Sequence, residues 1–97
     1  VLLLKGASTV IAGAGRRDAY INVTGNQGMA KGGSGDMLSG IILALLAQSV
    51  YPFDAAVLGA YIHGAAGDAA ARELSLTSML ASDCIAALPR VTRNLER

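Results

Sequence analysis

The sequence predicts an α/β fold in which short β-strands come first and three helices follow. Three observations support this prediction. Short apolar runs rich in β-branched residues fill residues 1–23, a stretch dense in glycine comes next, and the rest of the chain carries apolar residues over segments long enough for helices. This order of elements is typical of the tail of an α/β or α+β fold rather than of a complete doubly wound sheet.

Three strands are expected near the start of the chain. Residues 1–4 form an unbroken apolar run, which predicts a strand that is buried on both faces. Residues 9–12 and 19–23 are two further strand candidates, and the glycine-rich, charged residues 13–18 form a turn between them. Such close spacing indicates a hairpin-like β edge.

Three helices are expected after the glycine-rich stretch. Residues 37–48 are apolar almost all round, which predicts a buried helix. Residues 52–73 form the second helix, with Asp54 as its N-cap and with many small residues that permit close approach of another helix. Ser78 or Ser82 would cap a third helix that ends near residue 95, and Pro89 should kink or split it.

The composition limits the function classes and suggests missing neighbours. Of the 97 residues, 53% are hydrophobic and only 15% are charged. A small chain exposes much of its area, so this composition predicts that further chain or other subunits of a homo-oligomer cover part of the surface. The chain begins inside a predicted strand without an initiator Met, so we expect a fragment or a processed chain.

Nucleic acid and membrane are not expected partners. The net charge is +1 and aromatic residues make up 4%, so the chain lacks the basic stripe and the stacking platforms that nucleic acids require. The longest apolar run, residues 41–47, is far shorter than the roughly 20 residues that span a bilayer. Cys84 is the only cysteine, which excludes an internal disulfide and a cysteine zinc site. A reducing cytoplasm is the default location.

The most informative stretch is residues 24–36, which we call the glycine segment. It holds glycines at positions 25, 28, 32, 33 and 35, directly before a predicted helix. A helix N-terminus offers unpaired N–H groups and about half a positive charge, and glycines let those groups converge on an anion. This pattern predicts a phosphate site at Gly32, Gly33, Ser34 and Gly35.

Asp36 follows these glycines at the first positions of the helix. A carboxylate beside a bound phosphate can take a proton from a substrate hydroxyl. The spacing alone leaves open whether Asp36 does this or only caps the helix. The segment is neither a Walker A loop, because no Lys-Ser/Thr pair closes it, nor a GxGxxG motif.

Four segments of the chain resemble the C-terminal part of the ADP-dependent NAD(P)H-hydrate dehydratases. They are KGASTVIA, INVTGNQGMAKGGSGDMLSGII, YIHGAAGDAAA and MLASDCIAALP. These enzymes belong to the ribokinase-like superfamily and were often labelled carbohydrate kinases. The resemblance implies that residues 1–97 are the C-terminal portion of a single ribokinase-like domain. It also implies a hydro-lyase that removes water from hydrated NADH or NADPH through a phosphorylated hydroxyl, using ADP or ATP. Mg²⁺ is expected because di- and triphosphates react with it bound, although no acidic cluster in the sequence identifies its ligands.

The resemblance also assigns roles to individual residues. It implies that Lys5, Gly6, Ala7, Ser8 and Thr9 contact the adenine nucleotide. Gly35 would touch the phosphate, and Asp36 would meet the hydrated cofactor and act as the base. Lys31 and Ser34 fit the family pattern loosely, but neither removes a backbone N–H. Because the N-terminal half of the family pattern is absent, we expect the 97 residues alone to be inactive.

Other polar residues are predicted to be structural. His63 and Asp68 lie five residues apart, which separates them by about 140° around a helix. We therefore interpret them as a hydrogen-bonded helix histidine and a packing or capping aspartate, not as a catalytic pair. Asn22 and Asn26 could order the glycine segment through side-chain hydrogen bonds. Asp83 should serve the third helix N-terminus, and Cys84 is interpreted as a small buried hydrophobe.

Two rival functions remain open from the sequence. An ATP-dependent small-molecule kinase, acting on a sugar or a hydroxymethyl heterocycle, would share the glycine segment and its aspartate. A noncatalytic oligomerising module would use the apolar helices as a subunit interface. The second rival does not explain why five glycines precede a helix.

Overall fold

The fold consists of three short strands followed by three helices, as the sequence predicts. A computed structural model describes residues 1–4, 9–26, 29, 34–75 and 80–95, apart from the side chains at positions 34, 81 and 94. The elements are β1 (Leu2–Leu4), β2 (Thr9–Ala12), β3 (Tyr20–Asn22), α1 (Ser34–Ala47), α2 (Pro52–Leu74) and α3 (Ala81–Leu95). The predicted fold class is confirmed.

The three strands form an antiparallel sheet in the order β1-β2-β3. In its register Leu3 pairs with Ile11, and Ile11 pairs with Tyr20, so these side chains form one row across the sheet. The row packs against apolar residues of α2. Ile11 is completely buried at the centre of this contact.

The opposite face of the sheet is not covered by the described residues. Leu2, Leu4 and Ile21 are each 57% exposed. Side chains alternate between the two faces of a strand, and α2 packs against only one of them. The prediction that residues 1–4 are buried on both faces is therefore wrong for this part of the chain.

Helix α1 packs on α2 along one side only. Met37 and Leu38 are buried, whereas Leu43 is 67% exposed. The prediction of a helix buried all round is therefore wrong, because no other described element covers its outer side. The predicted close approach of helices is confirmed at Gly59, where an added Cβ would lie 2.7 Å from the Cγ1 atom of Ile42 in α1.

Proline decides where α2 begins. Tyr51 is the N-cap, with an extended backbone (φ −60°, ψ 145°), and Pro52 opens the helix. Proline presets the helical φ angle and lacks the N–H that would be unpaired in the first turn, and it favours an extended residue before it. The prediction of Asp54 as the N-cap is therefore wrong; Asp54 lies inside the first turn.

Helix α3 runs without interruption through Pro89. The predicted split does not occur; the bond that proline cannot make would go to the carbonyl of Ile85, a residue 53% exposed, where water can replace the partner. Ser82 lies within the helix and is not the cap, and Ser78 lies outside the described residues. Asp83 accepts a hydrogen bond from the Leu80 N–H at 2.7 Å, which confirms its predicted role at the N-terminus.

The contact between α2 and α3 forms the larger apolar core. Cys84 is 3% exposed within it, which confirms that it packs as a small hydrophobe. Burial raises the pKa of the Cys84 thiol, and the neighbouring Asp83 carboxylate raises it further. Within the described ranges, none of the helices combines the length and apolar character that crossing a bilayer demands.

Candidate functional site

The end of the glycine segment forms the first turn of α1. The helix begins at Ser34, and both Gly35 and Asp36 are exposed there. Asp36 is the third residue of the helix, so the alternative that it is the N-cap is wrong. The Ser39 hydroxyl donates to the Gly35 carbonyl at 3.1 Å, one turn along the helix. Gly32 and Gly33 lie outside the described residues.

Each of the three helices carries an aspartate at its third residue. These are Asp36 in α1, Asp54 in α2 and Asp83 in α3. A carboxylate in the first turn is favoured by the helix dipole, so this position alone does not mark a catalytic group. The neighbours differ: Asp83 accepts the Leu80 N–H, Asp54 follows a proline, and of the three only Asp36 lies in the glycine segment.

The start of the glycine segment is attached to α2 by Asp68. One oxygen of its carboxylate, Oδ2, accepts from the Gly25 N–H at 3.0 Å, and the other, Oδ1, accepts from Nδ2 of Asn26 at 2.9 Å. Gly25 has a φ angle of +105°, which only glycine adopts readily. The carboxylate thus binds two consecutive residues of the chain at once.

Two glycines of α2 make room for the same stretch of chain. An added Cβ at Gly64 would collide with the Thr24 side chain and lie 2.6 and 2.7 Å from the Thr24 carbonyl carbon and oxygen. At Gly67 it would collide with the Met29 side chain. The sequence predicted that Gly64, among other small residues of α2, permits close approach of another helix; Gly64 receives the glycine segment instead.

Asn22 and Thr24 join the last strand to α2. Asn22 is 5% exposed, and its Nδ2 donates to the Ala60 carbonyl at 3.2 Å. The Thr24 hydroxyl lies 3.2 Å from the Tyr61 carbonyl and 3.1 Å from Oδ1 of Asn22. The predicted ordering role of Asn22 and Asn26 is confirmed, because both donate side-chain bonds to α2.

The sheet brings two predicted parts of the site to one end. Thr9 opens β2 and lies opposite Asn22, the last residue of β3, after which the chain enters the glycine segment. Thr9 therefore lies near the start of the glycine segment. The other residues predicted for this part of the nucleotide site lie outside the described residues; they are Lys5, Gly6, Ala7 and Ser8.

The contact made by Asp68 was missed by the sequence reasoning. The spacing of Gly64, Gly67 and Asp68 could have predicted this contact. Two glycines on one side of a long helix indicate that another stretch of backbone approaches closely. His63 is 7% exposed within α2. Among the residues that the structure describes, no group of three or more His, Cys, Asp or Glu side chains could hold a metal ion.

The chain matches known proteins along nearly all of its length. The family model described as NAD(P)H-hydrate dehydratase matches residues 1–90. The chain is 58% identical, over 99% of its length and 18% of the relative, to the bifunctional NAD(P)H-hydrate repair enzyme of Moorella thermoacetica. It is 43% identical to the ADP-dependent (S)-NAD(P)H-hydrate dehydratase of Neisseria meningitidis serogroup B, over 96% of the chain and 31% of the relative.

A solved structure shows the same fold. It is the ADP/ATP-dependent NAD(P)H-hydrate dehydratase from Bacillus subtilis, co-crystallised with ATP/Mg²⁺ and soaked with CoA. It superimposes with a TM-score of 0.86 at 41% identity, over 94% of this chain and 33% of that chain. This chain thus spans a third or less of these three proteins. The match along nearly all of its own length shows that the chain belongs to the NAD(P)H-hydrate dehydratase family.

Proposed function

We propose that this chain is the C-terminal portion of a ribokinase-like domain that dehydrates hydrated NADH and NADPH, with ADP or ATP as the phosphoryl donor. The family supports this reaction class. The observation that carries the proposal is the placement of Asp36, exposed in the first turn of α1 at the end of the glycine segment. A cytoplasmic location remains part of the proposal.

The first turn of α1 suits the phosphate groups of a nucleotide. The first four N–H groups of a helix have no partner within it, and they carry partial positive charge. Gly35 is exposed and has no side chain to keep an oxygen away from them. We propose that Gly32, Gly33, Ser34 and Gly35 bind phosphate and that residues 5–9 contact the rest of the nucleotide.

Asp36 would serve as the base. Its carboxylate takes the proton of the ring hydroxyl while the hydroxyl oxygen bonds to the terminal phosphorus, and the bond from that phosphorus to the nucleotide breaks. The ring then loses phosphate instead of hydroxide, together with a proton, and regains its double bond. Phosphate is the better leaving group, which is why the nucleotide is consumed. Positioned proton transfer of this kind contributes roughly 10²–10⁴-fold to rate.

A magnesium ion fits this chemistry but has no ligand set among the described side chains. Mg²⁺ is commonly bound by one or two carboxylates together with substrate phosphates. We propose that it enters with the nucleotide; the related Bacillus subtilis structure was co-crystallised with ATP/Mg²⁺. The ion would neutralise charge on the phosphoryl group during transfer.

The test is Asp36→Asn in the full-length protein, assayed with ADP and hydrated NADH. We expect turnover to fall by at least about 100-fold, because the base is lost, while ADP still binds. Asp54→Asn is the matched control, since Asp54 occupies the same third helical position in α2 without a glycine segment. It should leave turnover unchanged. Full activity of Asp36→Asn would contradict the assigned base.

The same assay separates the kinase alternative. Wild-type protein is also incubated with ATP and a panel of alcohols, including sugars and hydroxymethyl heterocycles. Dehydration of the hydrate without a stable phosphorylated alcohol supports the dehydratase. Accumulation of a phosphorylated alcohol alone would favour the kinase.

Homo-oligomerisation, and with it the noncatalytic module, stays a prediction based on the exposed apolar residues Leu43 and Leu46 and the outer sheet face.

A further inference from the structure

We propose that Asp68 is a positioning residue for nucleotide binding. Its carboxylate holds Gly25 and Asn26 at the start of the glycine segment, and we infer that nucleotide binding depends on this position. The inference rests on the proposed function, because it assumes that the glycine segment binds a nucleotide. It assigns a role to a side chain of α2 that has no place in the proton transfer itself.

The geometry of the contact is specific to the glycine segment. Both carboxylate oxygens of Asp68 are used, one by the Gly25 N–H and one by the Asn26 side chain, at 3.0 and 2.9 Å. Asp68 is half-buried and lies 43 residues from Gly25 along the chain. Hydrogen bonds to an ionised carboxylate are about twice as strong as neutral ones. One side chain therefore fixes two consecutive residues from across the fold.

The attachment of the sheet does not depend on Asp68. Strand β3 is already joined to α2 by Asn22, which donates to the Ala60 carbonyl, and by Thr24 against the Tyr61 carbonyl. The row through Ile11 supplies the apolar contact. Asp68 therefore holds only Gly25 and Asn26 in position. These two residues come before the part of the glycine segment that leads to Ser34 and Asp36.

Glycine makes such an anchor necessary. A glycine-rich stretch has more backbone conformations to lose on ordering than any other sequence. Without Asp68, a nucleotide would have to order the segment itself, and its apparent dissociation constant would rise by the inverse of the ordered fraction. Met29 gives a second, apolar anchor against Gly67, so we expect partial rather than complete loss of order.

The experiment measures the dissociation constant of ADP by calorimetry, on full-length protein, well below the unfolding temperature. We expect Asp68→Ala to weaken binding about tenfold, and Asp68→Asn about threefold since it keeps one acceptor oxygen. Hydrogen exchange should show faster loss of the Gly25 amide hydrogen in Asp68→Ala. If Asp68→Ala fails to fold, the Asp68→Asn affinity decides the question.

Ile62→Val is the matched control for stability. Ile62 is 7% exposed in the same helix and packs in the core between α2 and α3, so losing a methylene lowers the unfolding temperature without touching the glycine segment. Its ADP affinity should equal that of wild type. Equal weakening in Ile62→Val, or unchanged affinity in both Asp68 variants, would overturn the inference. Wild-type protein that binds neither ADP nor ATP would instead overturn the proposed function beneath it.

Discussion

The two halves of α2 hold the chain in different ways. The N-terminal half presents Phe53, Ala56, Val57 and Ala60 to the sheet in a mainly apolar contact, to which Asn22 adds a hydrogen bond to the Ala60 carbonyl. The C-terminal half presents Gly64, Gly67 and Asp68 to the glycine segment, through close backbone approach and hydrogen bonds.

This difference follows from what each half has to hold. A strand offers a row of side chains that can be buried, so apolar packing suffices. A glycine-rich segment offers almost no side chains, so only sterically open backbone and directional hydrogen bonds can fix its position. On the side of α2 that faces the sheet and the glycine segment, apolar packing at one end therefore gives way to hydrogen bonding and close backbone approach at the other.

The largest effect on stability is expected from Ile11→Ala, in the strand that packs against the N-terminal half of α2. Ile11 is completely buried, and truncation of a buried isoleucine costs about 4 kcal/mol from lost transfer energy and the residual cavity. Ile11→Val should cost only about 1 kcal/mol. Denaturant unfolding of the full-length protein gives both values. In the protein that stays folded, ADP affinity should change less than about twofold; a selective loss of affinity would break the comparison.

The next effect is expected in the other half, from Gly64→Ala. The new Cβ would collide with Thr24, including its backbone, and overpacking of this kind costs about 1–3 kcal/mol. The displaced segment should also bind ADP more weakly. Gly40→Ala is the control: Gly40 is exposed in α1, and beyond the backbone of its own helix the added Cβ meets nothing within 4 Å, so stability should rise by up to about 1 kcal/mol. Equal behaviour of the two variants would contradict the close approach at Gly64.

The smallest effect is a pH dependence of stability. It comes from Cys84 in the core between α2 and α3, away from the sheet contact and the glycine segment contact of α2. The pKa of Cys84 is raised above its ordinary value of 9.0, first by burial and then by Asp83. A raised folded-state pKa contributes stability that is complete below the unfolded pKa and is lost as pH rises through the folded pKa. The stability of wild type relative to Cys84→Ala should therefore fall above about pH 9, in urea titrations across that range. A difference in stability between wild type and Cys84→Ala that stays constant with pH would contradict this prediction.

Much of the fold could be predicted from local patterns. The β-branched runs, the apolar helices and the punctuation by glycine and proline depend on residues near one another in sequence, and the fold class followed from them. Asp36 at the start of a helix after the glycine segment was visible in the same way, and so was the role of Asp83 at the start of α3.

The errors at residues 1–4 and in α1 concern which neighbour each element meets. Residues 1–4 and α1 looked buried all round because their side chains are apolar, but their outer faces are not covered by the described residues. The sequence predicted Asp54 as the N-cap of α2, but Tyr51 is the N-cap and Pro52 is the first residue of the helix. Burial and capping depend on contacts that an apolar count does not contain.

By itself the sequence determined the order of elements, the family resemblance and the position of the aspartate behind the glycines, because each depends on adjacent residues. Only the tertiary structure decided that Gly64 and Gly67 receive the glycine segment and that Asp68 holds Gly25 and Asn26. The physical reason is separation along the chain. Such contacts form only when α2 packs across the end of the sheet, and no local pattern encodes which carbonyl, amide or glycine will then stand opposite.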